Sequence, residues 1–141
     1  MRISSDERYP RRFPGSSVVR GRLAPGDYAH MDGDDLIAVV ERKTFENVLA
    51  DLGALPLLQQ RLLELRAHQV HAFIVEAPYE YFLDTRRVHH YTARYCAAAI
   101  AELYAAHPGL RIVFCANRKT ANAWTRRYFA AVWALVKGGE D

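Results

Sequence analysis

The sequence predicts an α/β domain built on a mixed central sheet. Three observations carry that expectation. Asp32-Gly33-Asp34 separates two strand-like runs, and Asp-Gly is a strong hairpin signal. Leu36-Ile37-Ala38-Val39-Val40 is apolar without alternation, as expected of a strand covered on both faces. Downstream, helical periodicities alternate with further apolar runs, the pattern of parallel strands joined by crossover helices.

Taken in order, residues 1–25 are loop-rich, punctuated by Pro10, Pro14-Gly15 and Pro25-Gly26, with a short strand expected over Val18–Leu23. Asp27–Met31 and Leu36–Lys43 form the hairpin. Thr44–Leu52 reads as a helix: Phe45, Val48, Leu49 and Leu52 share a face, Thr44 can cap its start, and Gly53 ends it. Pro56–His68 is a second helix with proline in its first turn, and Val70–Ala77 is a second continuous apolar strand. Tyr91–Ala106 is an alanine-rich helix stopped by His107-Pro108-Gly109. Arg111–Ala116 is the last strand, and Thr120–Val136 the last helix, with Trp124, Tyr128, Ala131, Val132 and Leu135 on one side.

A chain of 141 residues, 50% apolar and 25% charged, buries one core and is not a disordered segment. The net charge of +3 rules out a uniform polycation, but the charge is uneven. Residues 1–22 carry Arg2, Arg8, Arg11, Arg12, Arg20 and Arg22 against Asp6 and Glu7; residues 111–127 carry Arg111, Arg118, Lys119, Arg126 and Arg127 with no acid. Two basic ends around an acidic middle suit a polyanion, although solvated surface arginines are the simpler account. Cys96 and Cys115 each lie inside an apolar segment and read as reduced core residues. The opening residues do not form a signal peptide and no apolar run reaches the ~18 residues of a membrane span. A cytoplasmic protein is expected, nucleoid-associated in a bacterial cell and compatible with a nuclear one.

The chemistry lies in two short motifs. Gly26-Asp27-Tyr28 opens the first hairpin strand and Glu41-Arg42-Lys43 closes the second. Side chains alternate along a strand, so Glu41 and Lys43 share a face and Arg42 points oppositely. A closed hairpin brings Asp27 beside them. Two adjacent carboxylates repel unless a cation lies between them, and Mg²⁺ or Mn²⁺ with oxygen ligands is the natural occupant. Such an ion polarises a phosphoryl oxygen and acidifies water, while Lys43 orients that water or stabilises charge on the phosphate. The competing account is a structural ion pair between Lys43 and Glu41, with Asp27 serving the turn.

Gly26-Asp27, followed by Glu41-Arg42-Lys43-Thr44-Phe45-Glu46-Asn47, resembles the GD…ERKxxxD signature of the XPF-type structure-selective nucleases. These form a branch of the PD-(D/E)XK, restriction-endonuclease-like superfamily. The resemblance extends to Asp6-x-Arg8, the Gln59-Gln60-Arg61-Leu62 helix, the Ala72-Phe73-Ile74-Val75-Glu76 strand and the Asn117-plus-helix ending. It implies a restriction-endonuclease-like three-layer domain over residues 1–137, a mixed central sheet flanked by helices, with a flexible tail at 138–141. It implies a Mg²⁺- or Mn²⁺-dependent DNA endonuclease for branched, flap or fork DNA in repair or recombination. Asp27 and Glu41 would ligate the metal, Lys43 would act in catalysis, and Arg42, the remaining motif residue, would position phosphate or brace the fold. Asp6 would add an outer-sphere metal contact. Homodimerisation through the last helices is also implied.

Three departures stand out. Asn47 occupies the aspartate position of the signature, keeping shape but losing charge, and Tyr9 replaces a glutamate of the opening motif. The helix-hairpin-helix module that many relatives append is not in these 141 residues. DNA grip would then come from the basic ends, a dimer, another subunit or a missing domain. The rival reading is a catalytically inactive DNA-binding or dimerisation partner with the same fold. Further candidates have bland alternatives. Gln60 and Arg61 either reach phosphates or form a solvated helix face; Arg118, Lys119 and Arg126 either bind phosphate near a helix start or are ordinary polar surface. Glu76 either faces the metal pocket or pairs at its strand end. His89-His90 with Cys96 fits no zinc pattern. The Tyr91/Tyr95 and Trp124/Tyr128 rows read as core or dimer interface rather than base-stacking platforms.

Overall fold

The hairpin fixes the sheet. In a computed structural model, which describes residues 2–4, 19–21, 28–32 and 35–138, strands β3 (Tyr28–Asp32) and β4 (Asp35–Lys43) pair antiparallel. Their register runs from Tyr28↔Val40 to Asp32↔Asp35 with an irregularity between His30 and Met31, so the pairing extends to the two residues on either side of Gly33-Asp34. β5 (His71–Val75) adds parallel to β4, and β6 (Ile112–Phe114) parallel to β5. On the other side β1 (Arg2–Ser4) pairs antiparallel with β3 and parallel with β2 (Val19–Gly21). Among the described residues the sheet is six-stranded and mixed, in the order β2-β1-β3-β4-β5-β6.

Helices cover both faces. Val39, Phe73 and Val75 point to the side of α1 (Phe45–Leu52), α2 (Leu55–Arg66) and α3 (Ala93–Ala106), packing with Leu49, Leu52, Leu62, Leu65, Ile100 and Leu103. Tyr28, Ala38, Val40, Ala72 and Ile74 point to the side of α4 (Arg118–Gly138), against Ala121 and Phe129. The unbroken apolar runs thus reflect two cores, one on each face, and all five residues of β5 are buried. This is the expected three-layer, restriction-endonuclease-like α/β fold. Among the described residues no helix is long and apolar enough to cross a membrane.

Local chemistry explains the boundaries. Thr44 caps α1: its Oγ1 accepts from the Asn47 backbone N–H at 3.2 Å and donates to Asn47 Oδ1 at 2.7 Å. Thr44→Ala should lower stability by about 1 kcal/mol, the usual worth of an N-cap, as a shift of the urea midpoint at unchanged slope. The last helix and the last strand depart from expectation. α4 begins at Arg118, not Thr120, because Asn117 and Thr120 cap reciprocally: Asn117 Oδ1 accepts the Thr120 N–H at 2.9 Å and Thr120 Oγ1 the Asn117 N–H at 3.0 Å. It also runs to Gly138, one residue into the segment expected as tail. β6 is three half-buried residues at the sheet edge, shorter than the apolar run. A 3-10 turn at Tyr79–Leu83, which has no periodic signal of its own, is anchored by fully buried Phe82 against the rings of Phe45 and Phe114. β1 lies in the stretch read as loop-rich.

Candidate active site at the end of β4

β4, β5 and β6 run parallel, so their C-terminal ends share one edge of the sheet, in the register Lys43↔Val75↔Phe114. That edge is where open α/β sheets place their sites. It carries Glu41, Arg42 and Lys43 on β4, Glu76 just past β5, and the first turn of α4 beyond β6.

Alternation along β4 separates the triplet. Glu41, only 1% exposed, faces the α1–α2 layer, where Arg61 of α2 donates from a guanidinium nitrogen to Oε1 at 2.6 Å. Lys43 faces the same layer, its Nζ 3.3 Å from Oδ2 of Asp51 in the last turn of α1. Arg42 points to the α4 layer. There its Nε lies 2.5 Å from Oε1 of Glu76, both side chains buried, and its Nη1 donates to the Tyr28 hydroxyl at 2.8 Å. The structure therefore brings Glu41 and Lys43 together and places Arg42 and Glu76 behind them, across the sheet.

Asp27, Asp6, Arg8, Arg11 and Arg12 lie outside the described residues. Tyr28, which follows Asp27, pairs with Val40, which precedes Glu41. The donor chemistry fits a hard divalent cation. A carboxylate held at 1% exposure is costly unless cations serve it, and Arg61, which serves Oε1, has a half-exposed side chain. Among the described residues no three His, Cys, Asp or Glu side chains converge, so the implied ligand set rests on Glu41 together with Asp27.

Arg61 also lines a cavity of about 390 Å³, with Asp51, Leu57, Gln60 and Glu64 among others. Asp51 was not legible as a site residue, having no motif; only its place eight residues after Lys43, on the helix that β4 leads into, links the two. Asn47 is exposed and occupied with the cap of α1. Arg118, Lys119 and Arg126 are exposed on α4, the first two in a first turn that contains no acid. Sequence reasoning also passed over Arg86 and Arg87, in the loop between the 3-10 turn and α3. Arg86 is fully solvent-facing, and Arg87 stacks on the Tyr81 ring at 3.7 Å.

The other candidates resolve as structure. His89 Nε2 lies 3.0 Å from a Glu46 carboxylate oxygen, with the His90 ring beside it. Buried Cys96 has its thiol pushed up by burial, and both cysteines are unbridged. Burial lowers the imidazoles of His71 and His107, with nearby arginines adding to the effect. His71 Nδ1 meets the His68 carbonyl at 2.8 Å, and His107 Nε2 meets Gln59 Oε1. Tyr95 donates to the Leu52 carbonyl at 2.7 Å, while Trp124 stacks on Tyr128 at 4.8 Å against the α4-side core.

No protein-family model matches the chain, and no curated protein does. Solved structures do. XPF from Aeropyrum pernix in complex with DNA aligns at a TM-score of 0.58 with 25% identity, over 86% of this chain and 54% of that one. A second structure of XPF from Aeropyrum pernix aligns at 0.59 with 23% identity, over 85% and 53%. The fold is that of an XPF-type nuclease domain. The chain spans about half the length of the XPF structures it matches.

Proposed function

We propose that this chain is the catalytic domain of a structure-selective DNA endonuclease that hydrolyses phosphodiester bonds with Mg²⁺ or Mn²⁺ held by Glu41 and Asp27. The observation that carries the proposal is the split triplet at the end of β4: a buried carboxylate and an ammonium on one face, braced by a buried ion pair on the other. The XPF fold supports DNA as the polymer, since one of the matched XPF structures is a complex with DNA.

A divalent cation, when bound, would supply Lewis-acid polarisation of the scissile phosphate and neutralise its charge. The rest falls to the protein's own side chains. Glu41 offers its carboxylate oxygens at a fixed height, since β4 is paired on both sides. Lys43 donates from Nζ to a non-bridging phosphate oxygen. It stabilises the charge that builds as a water oxygen bonds to phosphorus and the P–O3′ bond breaks, leaving a 3′-hydroxyl and a 5′-phosphate. Asp51 keeps Lys43 aimed along the edge until phosphate competes for it. Arg42 and Glu76 hold the strand end and touch no substrate. Asn47 serves the cap of α1, so the charge lost at that signature position falls on helix stability before it falls on chemistry.

The test is a panel of fluorescently labelled duplex, single-stranded, flap and fork DNA, incubated with Mg²⁺, Mn²⁺ or chelator. Metal-dependent cleavage is expected, with flap or fork preferred. Binding without cleavage under every metal condition would instead make the chain a silent DNA-binding or dimerisation partner.

Charge at the same edge yields a second expectation. Arg118 and Lys119 open α4, where backbone N–H groups and positive charge favour a phosphate, and Arg126 follows two turns on. Neutralising all three should weaken binding to every DNA structure alike. It should flatten the slope of log affinity against log salt by about 0.9 for each phosphate no longer neutralised. An unchanged slope would remove them from the interface.

A further inference from the structure

We infer that Arg61 is a built-in counter-ion for Glu41, a mobile latch that occupies the carboxylate until a divalent cation displaces it. The inference rests on the metal reading above and adds a residue that reading does not use. Glu41 is 1% exposed, yet the guanidinium 2.6 Å from its Oε1 belongs to a side chain that is 47% exposed. A buried anion is thus neutralised by a cation with one side in water. Such a partner stabilises the carboxylate but leaves at little desolvation cost, unlike Arg42, whose buried pairing with Glu76 has no such exit. A single guanidinium and a divalent cation cannot both sit close to one carboxylate oxygen without repelling, so their occupancy is competitive.

The molecule also provides a place for the displaced side chain. Arg61 lines the cavity of about 390 Å³ shared with Asp51 and Glu64. Glu64 lies three residues further along α2, at the spacing that puts two side chains side by side on a helix. Asp51 is the acid that holds Lys43. A swing of Arg61 from Glu41 toward these acids therefore takes the guanidinium off Oε1 and lets Arg61 compete with Lys43 for Asp51, releasing the ammonium for phosphate. Opening of the metal site and release of Lys43 are linked through one side chain.

The experiment is direct Mn²⁺ binding to the whole chain without DNA, by calorimetry or by the loss of free Mn²⁺ signal in electron paramagnetic resonance. The proteins compared are the parent, Arg61→Gln, Arg61→Lys and Glu41→Gln. Arg61→Gln, which removes the competing charge, should bind Mn²⁺ at least roughly tenfold more tightly than the parent. Arg61→Lys, which keeps it, should stay within about threefold. Equal affinity in parent and Arg61→Gln, with binding still lost in Glu41→Gln, would overturn the latch and leave the metal site standing. Weaker binding in Arg61→Gln would overturn it too, making Arg61 a support of the site. No Mn²⁺ bound to any protein, or binding that Glu41→Gln does not alter, would remove the metal reading and the latch with it.

Discussion

Glu41→Gln should abolish cleavage, lowering the rate by roughly 10³-fold or more, while the protein keeps its fold. The substitution is nearly isosteric and the amide oxygen can still accept from Arg61, so packing between β4 and α2 is preserved. What disappears is the negative charge. A fully buried carboxylate is expensive to keep, and its replacement by a neutral amide relieves that cost. Arg61, half in water, loses little when its partner becomes neutral. The melting temperature of Glu41→Gln should therefore equal or exceed that of the parent. Activity falling while stability holds or rises is the signature of a residue kept for function. Lys43→Ala should lose about 10²–10³-fold by removing one donor to the transition state, again without unfolding, since Lys43 is only partly buried. Single-turnover cleavage of a labelled flap beside thermal melts of both variants checks this. A Glu41→Gln protein that cuts at the parental rate would place the chemistry elsewhere, and one that fails to fold would make the Glu41–Arg61 pair a structural one.

How much of this was legible in the residues differs from element to element, for physical reasons. β4 and α1 could be read because their signals are local: an Asp-Gly turn, an apolar run, a threonine at the helix start, and a spacing that aligns Val48, Leu49 and Leu52. The split of Glu41 and Lys43 from Arg42 follows from strand alternation alone, and the contacts agree with it. The partners did not follow. Whether Arg61 faces a phosphate or Glu41 depends on how α2 crosses the sheet, and that angle is set by Leu58, Leu62 and Leu65 seating into the core. Lys43 finding Asp51 depends in the same way on where α1 ends. Glu76 had two open readings because the strand it follows is buried on both faces, and in such a strand the pattern of apolar residues does not reveal which face is which. The 3-10 turn at Tyr79–Leu83 is held by one buried phenylalanine, a tertiary anchor with no periodicity to detect.

The largest stability effect is expected behind the site. Arg42→Ala should cost about 3–5 kcal/mol, because it leaves the Glu76 carboxylate buried without the guanidinium that neutralises it. It also takes the donor from the hydroxyl of Tyr28, itself fully buried on β3. Glu76→Ala should be destabilising by a similar route, stranding the cation instead of the anion. The pair, rather than either charge, is what the site needs: together they tie the end of β4 to the residue after β5, where the Glu76 N–H also donates to the Lys43 carbonyl at 2.8 Å. A double variant, Arg42→Met with Glu76→Gln, removes both charges at similar volume and should recover much of the loss, since desolvating an ion pair offsets most of its attraction. Urea unfolding of the parent, Arg42→Met, Glu76→Gln and the double variant closes the cycle and gives the coupling directly. Additive losses in the double variant would mean that the two side chains act independently. In that case Arg42 would be able to turn toward a phosphate, and its place in the Glu-Arg-Lys triplet would have to be explained by binding rather than by bracing.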